Sequence, residues 1–208
     1  MDLLDRLIVA FDRQQRRRLH IWEFSDDPDC ILRVSINRSR LDAELADGTV
    51  IRRGDRIGLI HLWNERVPRI PATGPDLEWA RLASRSAVRS LRLLARYLLE
   101  APDLDGIQAF GGEFGFIYTP VTLRFLHRLG FEVFDPRSPR GLWDWIEDIA
   151  MRIWPWLLRR VFNPASLRGR TLADMRRRPI WMTRTTILRL YGPDARPSDA
   201  HSGPRSAS

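Results

Sequence analysis

The chain has 208 residues, 44% of them hydrophobic, and carries a formal net charge of +8 with an isoelectric point of ≈ 11.0. That is enough for one folded domain, a proper core and an extension. A single cysteine, Cys30, excludes a disulfide framework and a cysteine-built zinc site, and no apolar run is long enough for a transmembrane helix.

All 34 basic residues are arginine. Guanidinium forks take phosphate and carboxylate bidentately and stack on aromatic rings, so the composition favours anionic partners. The start, Met1-Asp2-Leu3-Leu4-Asp5-Arg6, is acidic where a secretory signal is basic, and no signal peptide is expected.

Residues 2–18 predict an amphipathic helix, with Leu3, Leu4, Leu7, Ile8 and Phe11 at helical spacing and Arg16-Arg17-Arg18 at its end. It reads either as a docking helix or as an anchor to an anionic surface. Residues 19–63 predict β structure. Leu19 to Phe24 is strand-like. From Cys30 to Ile36 the chain alternates, with Ile31, Arg33 and Ser35 on one face and Leu32, Val34 and Ile36 on the other. Leu41 to Leu45 is another strand, turned by Asp47-Gly48 into Val50-Ile51. Arg56 to Trp63 reads as a central strand, because its apolar run is nearly continuous. Cys30 reads as a small buried side chain.

Three prolines and a glycine make 64–75 a loop, and Asp76 is the expected N-cap of a helix over 77–100. That helix has an apolar stripe of Trp79, Leu82, Ala83, Val88, Leu91, Leu94, Ala95 and Leu98. It also has a basic row of Arg81, Arg85, Arg89, Arg92 and Arg96, read as a solvated face or a phosphate-binding wall. Ile107 to Phe110 is a strand running into Gly111-Gly112-Glu113. Thr119-Pro120 opens a helix that stops at Gly130, and Phe131 to Asp135 closes the sheet. Residues 141–162 form a further helix, which Pro155 is expected to kink. Its apolar face is flanked by Trp143, Trp145, Trp154 and Trp156 and followed by Arg159 and Arg160. The expected division is an N-terminal helix (1–18), an α/β domain (19–138), a basic tryptophan-rich extension (139–192) and a disordered tail (193–208).

Chemistry has two candidate positions. His61, Asn64 and Glu65 stand at the end of the central strand, where α/β folds place their ligands, and His61 is a candidate general base near neutral pH. Gly112 and Glu113 follow the next strand; paired glycines there let a ligand or another backbone come close. Trp63, Asn64, Arg85 and Gly112 are the candidate ligand-binding residues, and His61, Glu65 and Glu113 the candidate catalytic ones. The plainer readings are a satisfied core histidine, a Glu65–Arg66 surface pair and a bulge bearing an exposed Glu113. No dinucleotide fingerprint, phosphate loop, His-Glu-x-x-His or Gly-x-Ser-x-Gly occurs, and no metal site is expected. Tryptophans beside arginines suit a membrane interface. Nucleic acid is not the expected partner, because no binding motif accompanies the charge.

Gly54-Asp55-x-Ile57-Gly58-x-x-His61-Leu62-Trp63-Asn64-Glu65, the arginine-lined helix, Gly112-Glu113 and Leu129-Gly130-Phe131-Glu132 resemble the YkoP-like domain family over roughly residues 18–140. The resemblance implies work near envelope glycan or glycolipid metabolism, beside polysaccharide deacetylases or glycosyltransferases, and brings no mechanism with it. The order of elements and Leu129-Gly130-Phe131-Glu132 also resemble the core of GNAT-type N-acyltransferases, which implies a mixed, mostly antiparallel sheet and an acyl-CoA cofactor. Where that fold has its glycine-rich pyrophosphate loop, this chain has the proline-rich 64–75, and no cofactor is expected. The leading expectation is a cytoplasmic accessory protein, peripheral at the inner face of the cell membrane, with an anionic membrane surface as partner. It would bind a small or anionic ligand in a His/Asn/Glu pocket. The alternatives are an acyltransferase-like enzyme with Glu65 or His61 as general base, and an interaction module that docks a glycan-modifying enzyme.

Overall fold

In the computed structural model, which describes residues 3–116, 118–135 and 141–195, the side chains of 113, 114, 116, 142–144, 147 and 177 are left undescribed. The alternation in Leu32–Arg38 (β1) makes a strand that pairs antiparallel with Arg56–Leu62 (β4) along its whole length. The short strands Ala43–Glu44 (β2) and Val50–Ile51 (β3) form a separate hairpin between them. Asp76 caps Leu77–Glu100 (α2) by accepting from the Trp79 N–H, and Thr119 caps Pro120–Arg128 (α3) in the same way. Both caps follow the sequence expectation.

The main sheet has the order β1-β4-β5-β7-β6, with Ala109–Phe116 as β5, Glu132–Val133 as β6 and Arg176–Thr183 as β7. Only β4–β5 is parallel, so the sheet is mixed and mostly antiparallel. With Leu3–Arg18 (α1), Leu142–Phe162 (α4) and Arg184–Tyr191 (α5), the described residues hold five α-helices and an α+β arrangement. The helix α4 runs through Pro155 without a break.

One sheet face carries Leu32, Val34, Ile60, Phe110, Ile180 and Met182, sealed by Leu91, Leu94 and Leu98 of α2, Leu126 of α3 and Ile187 of α5. The other face packs Ile57, Ala109 and Trp181 under Leu41, Leu45 and Ile51 of the hairpin region. Gly111 is required by that packing: a Cβ there would lie 2.0 Å from the Ile180 carbonyl oxygen. What Gly111 admits at this point is the backbone of β7.

Three expectations change. The 139–192 extension does not stand apart from an α/β domain ending at 138, because β7 lies between β5 and β6 and α5 sends Ile187 and Tyr191 into the core. Phe131 to Asp135 contributes only the two-residue edge strand β6. Leu19 to Phe24 contributes a single bridge, Trp22 to Val34.

Candidate functional site

Register brings the first candidates together. Arg33 stands opposite His61 and Ser35 opposite Leu59, which sets Arg33, Ser35 and His61 on one face of the β1–β4 pair. The Ser35 hydroxyl and His61 Nε2 lie 2.9 Å apart. Burial, with the charge of Arg33 adding to it, pushes the imidazole down to about 4, so it is neutral at physiological pH.

Arg33 is only 4% exposed, although it is a charge in the middle of an apolar strand. One Nη reaches Glu23 Oε1 at 2.9 Å and the other lies 3.6 Å from Glu65 Oε2. Its guanidinium carbon stacks 4.0 Å from the centroid of Trp63, and that of Arg66 stacks on the same ring at 3.4 Å. Its Nε is buried and finds no partner. Glu65 gives its second oxygen to Arg16 of α1 at 3.1 Å, and Arg16 Nε lies 3.1 Å from Asp12. Asp12 is itself buried, which raises its carboxyl pKa.

The result is a chain of ion pairs, Asp12–Arg16–Glu65–Arg33–Glu23, that fastens α1 across the β1–β4 face beside the Ser35–His61 pair. Breaking one link in such a chain leaves an uncompensated charge, so its members hold each other in place. Both oxygens of Glu65 face guanidiniums. His61 Nε2 is met by Ser35, which is 2% exposed. As arranged, this cluster positions an element.

Trp63 and Glu65 therefore both meet Arg33, and His61 faces Arg33 from the neighbouring strand. Asn64 lies in the turn between Trp63 and Glu65. Gly112 is buried in β5 opposite Ile180. Glu113 stands opposite Pro179, two residues past Gly111, and its side chain is among those left undescribed. Arg85 is on the outer face of α2, across the sheet from His61. The loop 64–75 is stapled by Asn163 at the end of α4, whose side chain accepts from the Ile70 N–H at 2.9 Å and donates to the Pro68 carbonyl at 3.0 Å.

Sequence reading missed Asp12, Arg16, Glu23, Arg33 and Ser35. The available signal was Arg33 itself, since a guanidinium flanked by aliphatics in a paired strand has to be neutralised by something.

The interface candidates divide. Trp145 is 53% exposed, Trp154 meets Phe11 of α1 edge-on at 4.9 Å between centroids, and Trp156 is half-buried. The Trp143 side chain is undescribed. Arg160 is exposed. Arg159 turns inward: its Nη1 lies 2.8 Å from Met175 Sδ, and burial pulls its pKa down to about 10.

No curated protein and no solved structure matches the chain. The family model for the YkoP domain matches residues 7–191, from inside α1 to the last residue of α5, and the chain belongs to that family.

Proposed function

We propose that this YkoP-domain chain is a peripheral membrane-binding module, accessory to envelope glycan or glycolipid metabolism, that lays α1 and α4 on an anionic lipid surface. The observation that carries this reading is where α1 leaves its apolar residues. Of Leu3, Leu4, Leu7, Ile8 and Phe11, only Ile8 is buried. Leu3 and Leu7 are 74% and 59% exposed, and Leu4 and Phe11 are exposed as well. The Asp12–Arg16 side of the helix is the one that docks.

Next to it, α4 exposes Trp145, Ile146, Met151 and Ile153, and Phe11–Trp154 joins the two helices. Apolar side chains grouped on neighbouring helices mark a surface made to be covered. Exposed Arg6, Arg13, Arg17 and Arg18 border the stripe on α1. Near an anionic membrane each such arginine contributes about 1 kcal/mol, and tryptophan suits headgroup depth. No helix among the described residues is long and apolar enough to cross a bilayer, which fits a helix pair lying in the interface plane. The link to glycan metabolism rests on the family resemblance alone.

The test is flotation with vesicles of phosphatidylcholine alone or mixed with phosphatidylglycerol. Binding is expected to the mixed vesicles, to weaken with salt, and to be lost in Leu3→Gln/Leu7→Gln and in Trp145→Gln/Ile146→Gln. A protein that ignores both vesicles, yet forms a salt-resistant complex or a dimer abolished by the same substitutions, is an interaction module instead.

A further inference from the structure

The side of α2 that faces away from the core holds a second charged surface. A groove of about 750 Å³ runs along it, lined by Arg85, Arg89, Arg92 and Arg96 on the helix and by Asp27 and Asp29 from the segment before β1. The spacing of three and four residues puts all four guanidinium stems on one face, over about 16 Å of helix. The opposite side of the same helix is core, through Leu91, Leu94, Ala95 and Leu98. The groove therefore looks out from the far side of the sheet from the α1 latch.

Asp27 fixes the geometry. It takes Arg89 through Nε and Nη2, at 2.9 and 2.6 Å, and is itself held by the Asp29 N–H at 2.9 Å. Its backbone carbonyl accepts from Arg66 Nη1 at 2.6 Å. Arg85, Arg92 and Arg96 are exposed and have no carboxylate partner among the described residues. Three uncompensated guanidiniums in a row, with a fourth locked between them, repel one another until an anion enters.

We propose that this groove is a binding site for a linear polyanion of phosphoryl groups, of which inorganic polyphosphate is the simplest form. A single exposed ion pair contributes little against solvent and salt, so one phosphate does not hold there. A chain that engages three or four forks at once does, and a phosphoryl chain offers an oxyanion at every repeat for bidentate capture. The rest of the lining offers nothing to nucleobases. Leu82, Val88 and Leu93 are its apolar members, and no aromatic ring lines it. Nucleobases thus find no stacking platform, and recognition is left to charge.

The proposal does not rest on membrane binding, and one paired design separates the two. Polyphosphate binding is measured by fluorescence anisotropy against salt on the wild type, on Arg85→Gln/Arg92→Gln/Arg96→Gln, and on Arg6→Gln/Arg13→Gln/Arg17→Gln. All six positions are exposed, so both triples are expected to fold. The α2 triple is expected to lose at least tenfold in affinity and to show a salt slope shallower by about 2–3, as expected when roughly three phosphate contacts go. The α1 triple should keep polyphosphate binding and lose vesicle binding. Equal losses from both triples would mean attraction to overall charge and would overturn the site, as would wild-type binding of single-stranded DNA or an acidic polysaccharide with no affinity for polyphosphate.

Discussion

His61 titrates near 4 because burial penalises the imidazolium and Arg33 repels it, whereas in an unfolded chain it titrates near 6.5. Between those values the unfolded state binds more protons. Stability is therefore fully present above about 6.5 and is lost as pH falls toward 4. The full shift corresponds to roughly 3 kcal/mol as an upper figure. Asp12 acts with the opposite sign, since burial raises its carboxyl pKa and a raised carboxyl pKa favours the fold as pH falls, so it offsets part of the His61 effect. Urea midpoints of the wild type should therefore drop as pH is lowered from about 7 to about 5. Those of His61→Gln, which keeps a polar group within reach of Ser35, should stay nearly flat across the same interval. An equal slope in both proteins would place the titrating group elsewhere. The same residue bears on catalysis: a neutral imidazole is a competent base in principle, but here its Nε2 meets a buried hydroxyl, and α1 is fastened alongside.

At the scale of elements, α1 is held differently from the other helices. It buries only Ile8 and Asp12, so beyond the Phe11–Trp154 contact with α4 its attachment to the sheet depends on Arg16–Glu65 and the links beyond it. Glu65→Gln removes the central charge and leaves Arg16 and Arg33 poorly compensated. Because Glu65 is partly exposed, the expected cost is about 1–2 kcal/mol, below that of breaking a fully buried pair. Hydrogen exchange should then speed up in α1 while α2 stays protected; uniform acceleration would contradict a latch. The sequence made α1 legible as a helix because periodicity reports a stripe. It did not say what the stripe faces, and the apolar side turned outward while Asp12 turned in. In α2 the reverse omission occurs. Ser86 and Ser90 sit on the core side, where Ser90 Oγ donates to the Ser86 carbonyl and accepts from the Ile31 N–H. Serines carry no hydropathy signal, and their role exists only once β1 has docked.

Across the whole molecule, the strand that holds the sheet together comes from the part that reads least like a strand. Arg176-Arg177-Arg178-Pro179 looks like a basic linker, and a proline argues against a central strand because it has no N–H to give. Yet β7 pairs with β5 over eight residues, from Ala109↔Thr183 to Phe116↔Arg176, and with β6 on its other side. Pro179 fits because its carbonyl is what the neighbour needs: the Phe134 N–H donates to it at 2.9 Å. Local patterning could not reveal this, since the partners lie sixty or more residues back in β5, and only the closed sheet specifies them. A chain ending at residue 138 therefore loses Ile180, Trp181, Met182 and Ile187, each no more than 2% exposed, and uncovers the edge of β5. At about 1.5–3 kcal/mol for each buried side chain, the loss is comparable to the roughly 5–15 kcal/mol that holds an ordinary domain folded. The truncated chain should show no cooperative thermal transition by circular dichroism, whereas a chain ending at 195 should melt as the full one does. A cooperative transition in the shorter chain would restore the boundary at 138 and make β7 an addition to a domain complete without it.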